Sequence, residues 1–199
     1  MSKASHSNTL HPIPCIIFAG GKSSRMGEDK ALLPFGTFDT LAQYQLHHLQ
    51  NYFKDVYISS KTKSKFDFEA NFIEDIPSEV YAPTPAFIAS LEHTQGDIFV
   101  VSVDTPFIDA IVIEKLFAHK NKGFDAIVAT TDKGTHPMCG IYSYKLLQTF
   151  KKMLLEDNHR LGYLLKTINT KYVHFDNEAL FKNLNHPHEY KEAVASLRE

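Results

Sequence analysis

The feature of this sequence that most constrains its fold is a series of short, nearly continuous apolar runs. Six runs of strand length occur, at residues 15–19, 56–59, 97–103, 126–130, 138–142 and 172–175. Several are continuous rather than alternating, which is typical of strands that are covered on both faces. The chain is therefore expected to contain a sheet with helices packed on each side.

Segments with helical patterns lie between these runs. Thr40 and Gln43 form a capping box at the start of the first, and Asp109 is expected to cap another. The apolar face of the first helix is predicted to contain Leu41, Tyr44, His48 and Tyr52. Apolar residues at positions 146, 147, 150, 153 and 154 predict a further helix, and Pro187 is expected to open the last one, which runs through Leu197.

This alternation predicts a three-layer α/β/α domain with a mostly parallel, Rossmann-like sheet. The chain has 199 residues, 43% of them hydrophobic, which is enough for one full-sized core and short for two. We expect a single domain over residues 1–199, with a flexible N-terminal segment over residues 1–13. Ligands of such sheets bind beyond the carboxyl ends of the strands, so the loops after Ala19 and Val103 are the expected site.

Charge and composition exclude several classes of partner. The formal net charge is −2, which argues against nucleic acid and anionic membrane surfaces. No apolar run approaches the roughly 18 residues of a membrane span, and the N-terminus lacks the apolar core of a secretory signal. The two cysteines, Cys15 and Cys139, suit a reducing compartment and are expected to be inert core residues. We therefore expect a cytoplasmic protein.

The loop after the first apolar run has the sequence "AGGKSSRMGEDK". Gly20 and Gly21 allow consecutive backbone amides to approach an anion closely. Arg25 and Lys30 add two positive charges within ten residues of those amides. The combination predicts a polyphosphate site that is neither a Walker A loop nor a G-x-G-x-x-G turn. For the two glycines alone, an ordinary strand-to-helix turn is the alternative.

A carboxylate follows another buried run, in the segment "FVVSVDTPF". Asp104 stands where the strand ends, and Pro106 stops the strand, so the carboxylate is expected to project toward the glycine loop. Mg²⁺ often takes one or two carboxylates and completes its coordination with substrate phosphates and water. Asp104 is therefore a candidate Mg²⁺ ligand, with an Asx turn as the alternative.

The pattern A-G-G-x-S-x-R-M-G-x-D-K-x-x-L-P, intact over residues 19–34, resembles the MobA-like nucleotidyltransferases of molybdenum cofactor biosynthesis, the molybdenum cofactor guanylyltransferases. The resemblance covers nearly the whole chain and includes the segments "VDTPF", "HPMCGIYS" and "FKNLNHPHEY". It implies transfer of GMP from GTP to the phosphate of molybdopterin-bound molybdenum cofactor, with release of pyrophosphate and with Mg²⁺ as cofactor. The implied partners are GTP and the molybdopterin cofactor, with molybdoenzyme apoproteins or cofactor-insertion chaperones as further candidates.

The resemblance also implies roles for individual residues. Arg25, Lys30 and Asp104 would be catalytic, with Asp104 holding the metal. The nucleotide would be bound by Phe18, Ala19, Gly20, Gly21, Lys30, Asp75 and Asp104. The pterin substrate would be bound by Arg160, Asn183 and Asn185. For the two asparagines the alternative is helix capping and turn formation before Pro187, and for Arg160 it is an exposed helix terminus.

The chain departs from the family at residues 82–87, where "APTPAF" replaces the usual G-P-L-A-G element. Both glycines of that element are alanine here, which restricts the backbone. We expect the loss of these glycines to affect the specificity for guanine more than the binding of phosphate. The alternatives are a related cytidylyltransferase, a sugar-nucleotide pyrophosphorylase, or a catalytically weak nucleotide-binding or cofactor-delivery protein. Cytidylyltransferases typically have A-A-G at the loop, and pyrophosphorylases space the arginine and lysine further apart, so GTP is favoured.

Overall fold

A computed structural model describes residues 10–21, 27–77 and 82–197. Its described strands form one seven-stranded sheet in the order β3-β2-β1-β4-β6-β5-β7. The strands are β1 (Cys15–Phe18), β2 (Val56–Ser60), β3 (Asn71–Glu74), β4 (Ile98–Ser102), β5 (Ala126–Thr131), β6 (Gly134–Tyr142) and β7 (Thr170–His174). All neighbouring pairs are parallel except those of β6, which runs antiparallel to β4 and β5.

Helices cover both faces of this sheet. They are α1 (Leu41–Leu49), α2 (Thr84–Thr94), α3 (Ala110–Phe117), α4 (Leu147–Leu155), α5 (Leu161–Thr167) and α6 (Pro187–Ser196). One apolar cluster joins the sheet to α1, α3 and α6, and a second joins it to α2, α4 and α5. The predicted three-layer α/β/α architecture with a mostly parallel sheet is confirmed.

Strand β1 shows why its apolar run is continuous. Cys15 and Ile17 belong to one apolar cluster, whereas Ile16 and Phe18 belong to the other. Because successive side chains of a strand point to opposite faces, a strand covered on both faces must be apolar at every position. Both cysteines are buried, and burial raises the pKa of the Cys15 and Cys139 thiols.

The sequence prediction missed one strand and two helices. Strand β3 lies at the sheet edge and buries only Ile73, so it has no apolar run. Helix α2 was missed because eight consecutive residues from Thr84 to Leu91 are buried, which removes the polar face that reveals a helical period. Helix α5 was missed because it has only seven residues, which is too short for a clear helical period.

The predicted apolar face of α1 was partly wrong. Thr40 does cap the helix, since its hydroxyl accepts a hydrogen bond from the Gln43 amide at 3.1 Å. The buried residues are Leu41, Ala42, Gln45, Leu46 and Leu49. Tyr44 and His48 lie at the half-buried edge of this face. The misplacement arises because the polar Gln45 is buried, and its amide donates to the Ser102 and Val103 carbonyls at the end of β4.

Strand β6 begins four residues earlier than predicted and contains an irregularity. Val128 of β5 pairs with Gly140, whereas the next residue, Ala129, pairs with His136. Residues 137–139 are therefore inserted relative to β5. Such bulges often occur beside active sites, where they redirect side chains. Here the insertion lies where β6 passes the carboxyl end of β4.

The N-terminal part of the described chain is attached to the domain. The His11 amide donates to the Tyr52 carbonyl at 2.8 Å, and the His11 ring stacks on Phe117 at 3.7 Å between centroids. Residues 1–9, which make up most of the segment predicted to be flexible, lie outside the described residues. None of the helices in the described ranges is long and apolar enough to cross a membrane.

Candidate functional site

A cleft of about 210 Å³ opens at the carboxyl edge of the sheet, between the loop after β1 and the start of α2. It is lined by Phe18, Gly20, Gly21, Lys61, Asp75, Ala82, Pro83, Pro85, Ala86, Ser102 and Met138. Its walls are mostly apolar, with a carboxylate and an ammonium group among them. We call this the donor cleft, because four of the predicted nucleotide-binding residues line it, namely Phe18, Gly20, Gly21 and Asp75.

Gly20 and Asp75 fit closely together in the donor cleft. A Cβ atom added at Gly20 would lie 2.8 Å from Asp75 Oδ2, so a side chain there would displace the carboxylate. The Ser59 hydroxyl donates to Asp75 Oδ1 at 2.5 Å. Burial raises the pKa of Asp75, while the Ser59 hydrogen bond and the charges of Lys61 and Lys65 oppose that shift. The carboxylate is therefore held in place at an energetic cost.

Some backbone groups of the loop after β1 form hydrogen bonds within the protein, and others are available to a ligand. The Ala19 amide donates to the Ser59 carbonyl at 2.8 Å, and the Ala19 carbonyl accepts a hydrogen bond from Lys65 Nζ at 2.9 Å. Within the described ranges, the amides of Gly20 and Gly21 make no recorded hydrogen bond. A Cβ added at Gly21 would meet nothing within 4 Å. Among the described residues of this loop, the two glycine amides are therefore available to bind an anion.

Lys65 connects this loop to the segment that holds Lys30. Its ammonium group also pairs with Asp29 Oδ2 at 2.7 Å. The other Asp29 oxygen accepts a hydrogen bond from the Ala31 amide at 3.0 Å and caps a short 3₁₀ helix, Lys30–Leu32. Asp29 therefore fixes the backbone from which the Lys30 side chain extends.

Lys30 meets two of the other predicted residues. Its Nζ donates to Asp104 Oδ2 at 2.8 Å and to Asn185 Oδ1 at 2.9 Å, although these residues are 74 and 155 positions away in the chain. The Lys30 and Asp104 side chains are 16% and 17% exposed, so the charges are only partly shielded by water. One cation and two oxygen ligands therefore converge at one point.

The turn after β4 holds Asp104 in position. The Ser102 hydroxyl donates to Asp104 Oδ1 at 2.6 Å, and the Asp104 carbonyl accepts a hydrogen bond from the Leu184 amide at 2.9 Å. The buried Gln45 amide supports the same turn from α1. Both carboxylate oxygens of Asp104 thus have a partner, and its backbone is joined to the C-terminal segment.

A second cleft, of about 320 Å³, lies next to the first. It is lined by Ser102, Asp104, Thr105, Thr135, His136, Pro137, Met138, Cys139, Phe181, Asn183 and Asn185. Ser102 and Met138 line both clefts, so the two are adjacent. Asp104 lines the acceptor cleft and accepts a hydrogen bond from Ser102 at this junction, which Lys30 reaches through its contact with Asp104. We call this the acceptor cleft, because the two asparagines predicted to bind the pterin line it.

The structure brings most of the predicted site residues to this edge of the sheet. The Asn185 side chain faces Lys30 instead of capping α6, whose first turn is held by Glu189; this carboxylate accepts hydrogen bonds from the Asn185 and His186 amides at 2.7 and 2.8 Å. Arg25 lies outside the described residues. Arg160, at the start of α5, is exposed and is not among the described residues that line either cleft.

Several lining residues were missed by the sequence analysis. Lys61 follows β2, and His136 and Met138 come from the irregular part of β6. The segment "HPMCGIYS", which contains His136 and Met138, was noted for its family resemblance without a role for either residue. Lys61 stands in no such segment, and its relation to the site arises from strand order. Ser102 could have been found, since it precedes the predicted Asp104 by two residues.

Comparisons with known proteins give a consistent picture. Residues 15–171 match the family described as the MobA-like NTP transferase domain. A molybdenum cofactor guanylyltransferase from Campylobacter jejuni subsp. doylei is 37% identical over 191 residues, which covers 95% of this chain and 99% of that protein. One from Helicobacter pylori strain G27 is 32% identical and covers 94% of each.

Solved structures share the fold. Molybdopterin-guanine dinucleotide biosynthesis protein A from Archaeoglobus fulgidus superposes with a TM-score of 0.80 at 21% identity, over 94% of this chain and 99% of that one. The 2-C-methyl-D-erythritol 4-phosphate cytidylyltransferase of Thermus thermophilus gives a TM-score of 0.69 at 15% identity, over 95% and 100%. At these identities the likeness concerns the fold alone.

Proposed function

The chain belongs to the MobA-like NTP transferase family, and from this premise we propose that it is a molybdenum cofactor guanylyltransferase. It transfers GMP from GTP to the phosphate of the molybdopterin cofactor, forming the guanine dinucleotide and pyrophosphate. The observation that best supports this is the meeting of Lys30, Asp104 and Asn185 at the junction of two clefts. A reaction that joins two substrates through a phosphate requires such a junction.

The proposed reaction forms one bond and breaks one bond. An oxygen of the acceptor phosphate attacks the α-phosphorus of GTP in line, and the bond from that phosphorus to the α–β bridging oxygen breaks. The electron pair leaves with pyrophosphate. Because the acceptor phosphate is already largely ionised at neutral pH, the protein needs no nucleophile of its own and contributes positioning and charge stabilisation.

The described residues supply these contributions. The amides of Gly20 and Gly21 bind phosphate oxygens, and Lys30 stabilises the negative charge on the reacting phosphates. We propose that the Lys30 ammonium exchanges part of its contact with Asp104 for these oxygens. Asn185, which contacts Lys30 from the acceptor side, holds the two substrates in register.

The site fits a magnesium ion. The Asp104 carboxylate and the Asn185 amide oxygen both lie within hydrogen-bonding distance of the Lys30 ammonium, so hard oxygen ligands already converge on one cationic position. Within the described ranges, no group of three His, Cys, Asp or Glu side chains could hold a metal, so phosphate oxygens and water must complete the coordination. We propose that Asp104 holds Mg²⁺, which supplies positive charge to the phosphates when bound.

The donor cleft favours guanine through two charged side chains. The Asp75 carboxylate can accept hydrogen bonds from the N1 and N2 donors of guanine, and Lys61 can donate to its O6 acceptor. Helix α2 contributes fewer amides than its position suggests, because Pro83 and Pro85 have no amide hydrogen. Specificity therefore depends on side chains here more than on the segment at residues 82–87.

The direct test is to incubate the purified protein with GTP, Mg²⁺ and molybdenum-loaded molybdopterin. We expect one guanine dinucleotide and one pyrophosphate per turnover, quantified by chromatography and a coupled pyrophosphate assay. Asp104→Asn should lower kcat about 10²- to 10³-fold, whereas Asp67→Asn, which changes an exposed carboxylate outside both clefts, should not. Equal or faster turnover with CTP would contradict the guanine assignment.

A further inference from the structure

His136 is a titratable residue of the acceptor cleft that the proposed reaction does not use. His136 lies on β6, opposite Ala129, immediately before the inserted residues 137–139. Its ring lines the same cleft as Asp104, Asn183 and Asn185. The irregularity of β6 thus brings an imidazole to the place where the acceptor must bind.

The ring of His136 is fixed on two sides. It stacks on the buried Phe181 ring, with centroids 4.5 Å apart and planes inclined by 20°. Its Nε2 atom lies 3.1 Å from the Thr131 hydroxyl oxygen. The stack on Phe181 packs the ring, and the contact with Thr131 fixes which way its nitrogens face.

The second ring nitrogen is available to a ligand. In the part of the chain that the structure describes, Nδ1 of His136 makes no recorded hydrogen bond, and it is not among the buried unpartnered atoms. Burial lowers the pKa of His136, with Glu178 opposing the shift, so the neutral ring is favoured at neutral pH. When the Thr131 hydroxyl donates to Nε2, the ring proton resides on Nδ1.

We propose that His136 is a positioning residue of the acceptor cleft, whose Nδ1–H donates a hydrogen bond to the phosphate of the acceptor. This inference rests on the proposed function for the identity of the acceptor. The phosphate must reach the junction at Asp104 to attack GTP, and His136 lies in the same cleft as that junction. A neutral donor holds the phosphate without competing for its attacking lone pair through a full positive charge.

Three substitutions separate the contacts of this ring. His136→Asn keeps an N–H group near the position of Nδ1, His136→Gln keeps an amide near the position of Nε2, and His136→Phe keeps only the stack on Phe181. Direct binding of molybdenum-loaded molybdopterin is measured by pterin fluorescence, and KM is measured separately for the acceptor and for GTP. The binding measurement is repeated with acceptor from which the phosphate has been removed, which can bind but cannot react.

We expect His136→Gln and His136→Phe to weaken acceptor binding and raise its KM about tenfold, the effect of losing one hydrogen bond to a charged group. His136→Asn should stay within about threefold of the native protein, since its donor remains. The KM for GTP should not change. The differences between variants should disappear with the dephosphorylated acceptor.

Equal losses in all three variants, a parallel rise in the KM for GTP, or a loss that persists without the phosphate would overturn the role of His136 and indicate a structural one. Native protein that binds the acceptor but forms no dinucleotide would contradict the proposed function, while the binding series would still test His136. Native protein that does not bind the acceptor would overturn both.

Discussion

Lys30 is the cation that contacts both Asp104 and Asn185 where the two clefts meet. Its ammonium group contacts one carboxylate and one amide oxygen, and both contacts are between 2.8 and 2.9 Å. Such an arrangement is a charge-assisted network that removes conformational freedom from the lysine. A cation fixed in this way needs little reorganisation when phosphates arrive, which is the condition for effective charge stabilisation.

Lys30→Ala is therefore expected to lower kcat about 10²- to 10³-fold. The loss should be larger in kcat than in the KM for the acceptor, because the lysine acts on charge that develops in the transition state. Steady-state kinetics test this, with circular dichroism to verify the fold. Lys63→Ala is the matched control, since Lys63 is an exposed lysine of the short 3₁₀ helix that also contains Lys65. Nearly native activity of Lys30→Ala would remove this lysine from the mechanism.

Asp75 illustrates a residue that favours binding at the expense of stability. Its pKa is raised above the ordinary value of 3.8, chiefly by burial, so the folded state disfavours the charged carboxylate. The cost is absent below the unfolded pKa, where the group is neutral in both states. It develops as the pH rises from the unfolded pKa through the raised folded pKa, and it is complete above the folded pKa.

Asp75→Asn should therefore raise the thermal stability at neutral pH, and this gain should fade as the pH is lowered toward 3.8. The amide oxygen can still accept the Ser59 hydrogen bond, so the geometry is kept. GTP affinity should fall about 10- to 100-fold, the effect of losing a charged acceptor. Thermal melts across this pH range and calorimetry with GTP measure both effects. A lower Tm at neutral pH would show that attraction to the neighbouring lysines outweighs burial.

The elements show which structural features a sequence can reveal. Continuous apolar runs predicted the central strands, because only a strand covered on both faces is apolar at every position. Helix α2 escaped prediction because it is buried around its first two turns. In the site, Asp104 was predicted because it follows a recognisable strand, and Lys30 because it belongs to the glycine-rich loop after another. Lys61 and His136 were not, because strand order and the irregularity in β6 bring them there.

Gly140, where the regular pairing of β5 and β6 ends, and Gly162, in α5, give a matched prediction. A Cβ at Gly140 would lie 2.4 Å from the Ile127 carbonyl oxygen, whereas one at Gly162, in α5, would meet nothing within 4 Å. Gly140→Ala should therefore destabilise the protein by about 1 to 3 kcal/mol through overpacking. Gly162→Ala should stabilise it by about 0.5 to 1 kcal/mol through helix propensity. Urea unfolding compares the two variants, and a neutral Gly140→Ala would mean that the strands can separate there without cost.

At the scale of the whole molecule, the site joins parts of the chain that are far apart in the sequence. The glycine loop follows β1, Asp104 follows β4, and Asn185 lies in the segment before α6. The Leu184 amide bonds to the Asp104 carbonyl, and the Tyr190 hydroxyl bonds to the Pro34 carbonyl, so the C-terminal segment is attached to both other parts. Ligand binding at the junction should therefore stabilise the fold as a unit.

GTP with Mg²⁺ should accordingly raise the unfolding temperature of the native protein, and should do so more than CTP or UTP at equal concentration. At a GTP concentration about 100 times Kd the stabilisation is about 2.7 kcal/mol, which for a chain of 199 residues corresponds to roughly 5 to 10 °C. The preference for GTP follows from the Asp75 carboxylate, because guanine offers it two adjacent donors whereas cytosine offers one donor next to an acceptor. Asp75→Asn, which keeps the shape of the cleft, should reduce the difference between GTP and CTP. An equal shift with CTP in the native protein would mean that the cleft binds the triphosphate without distinguishing the base.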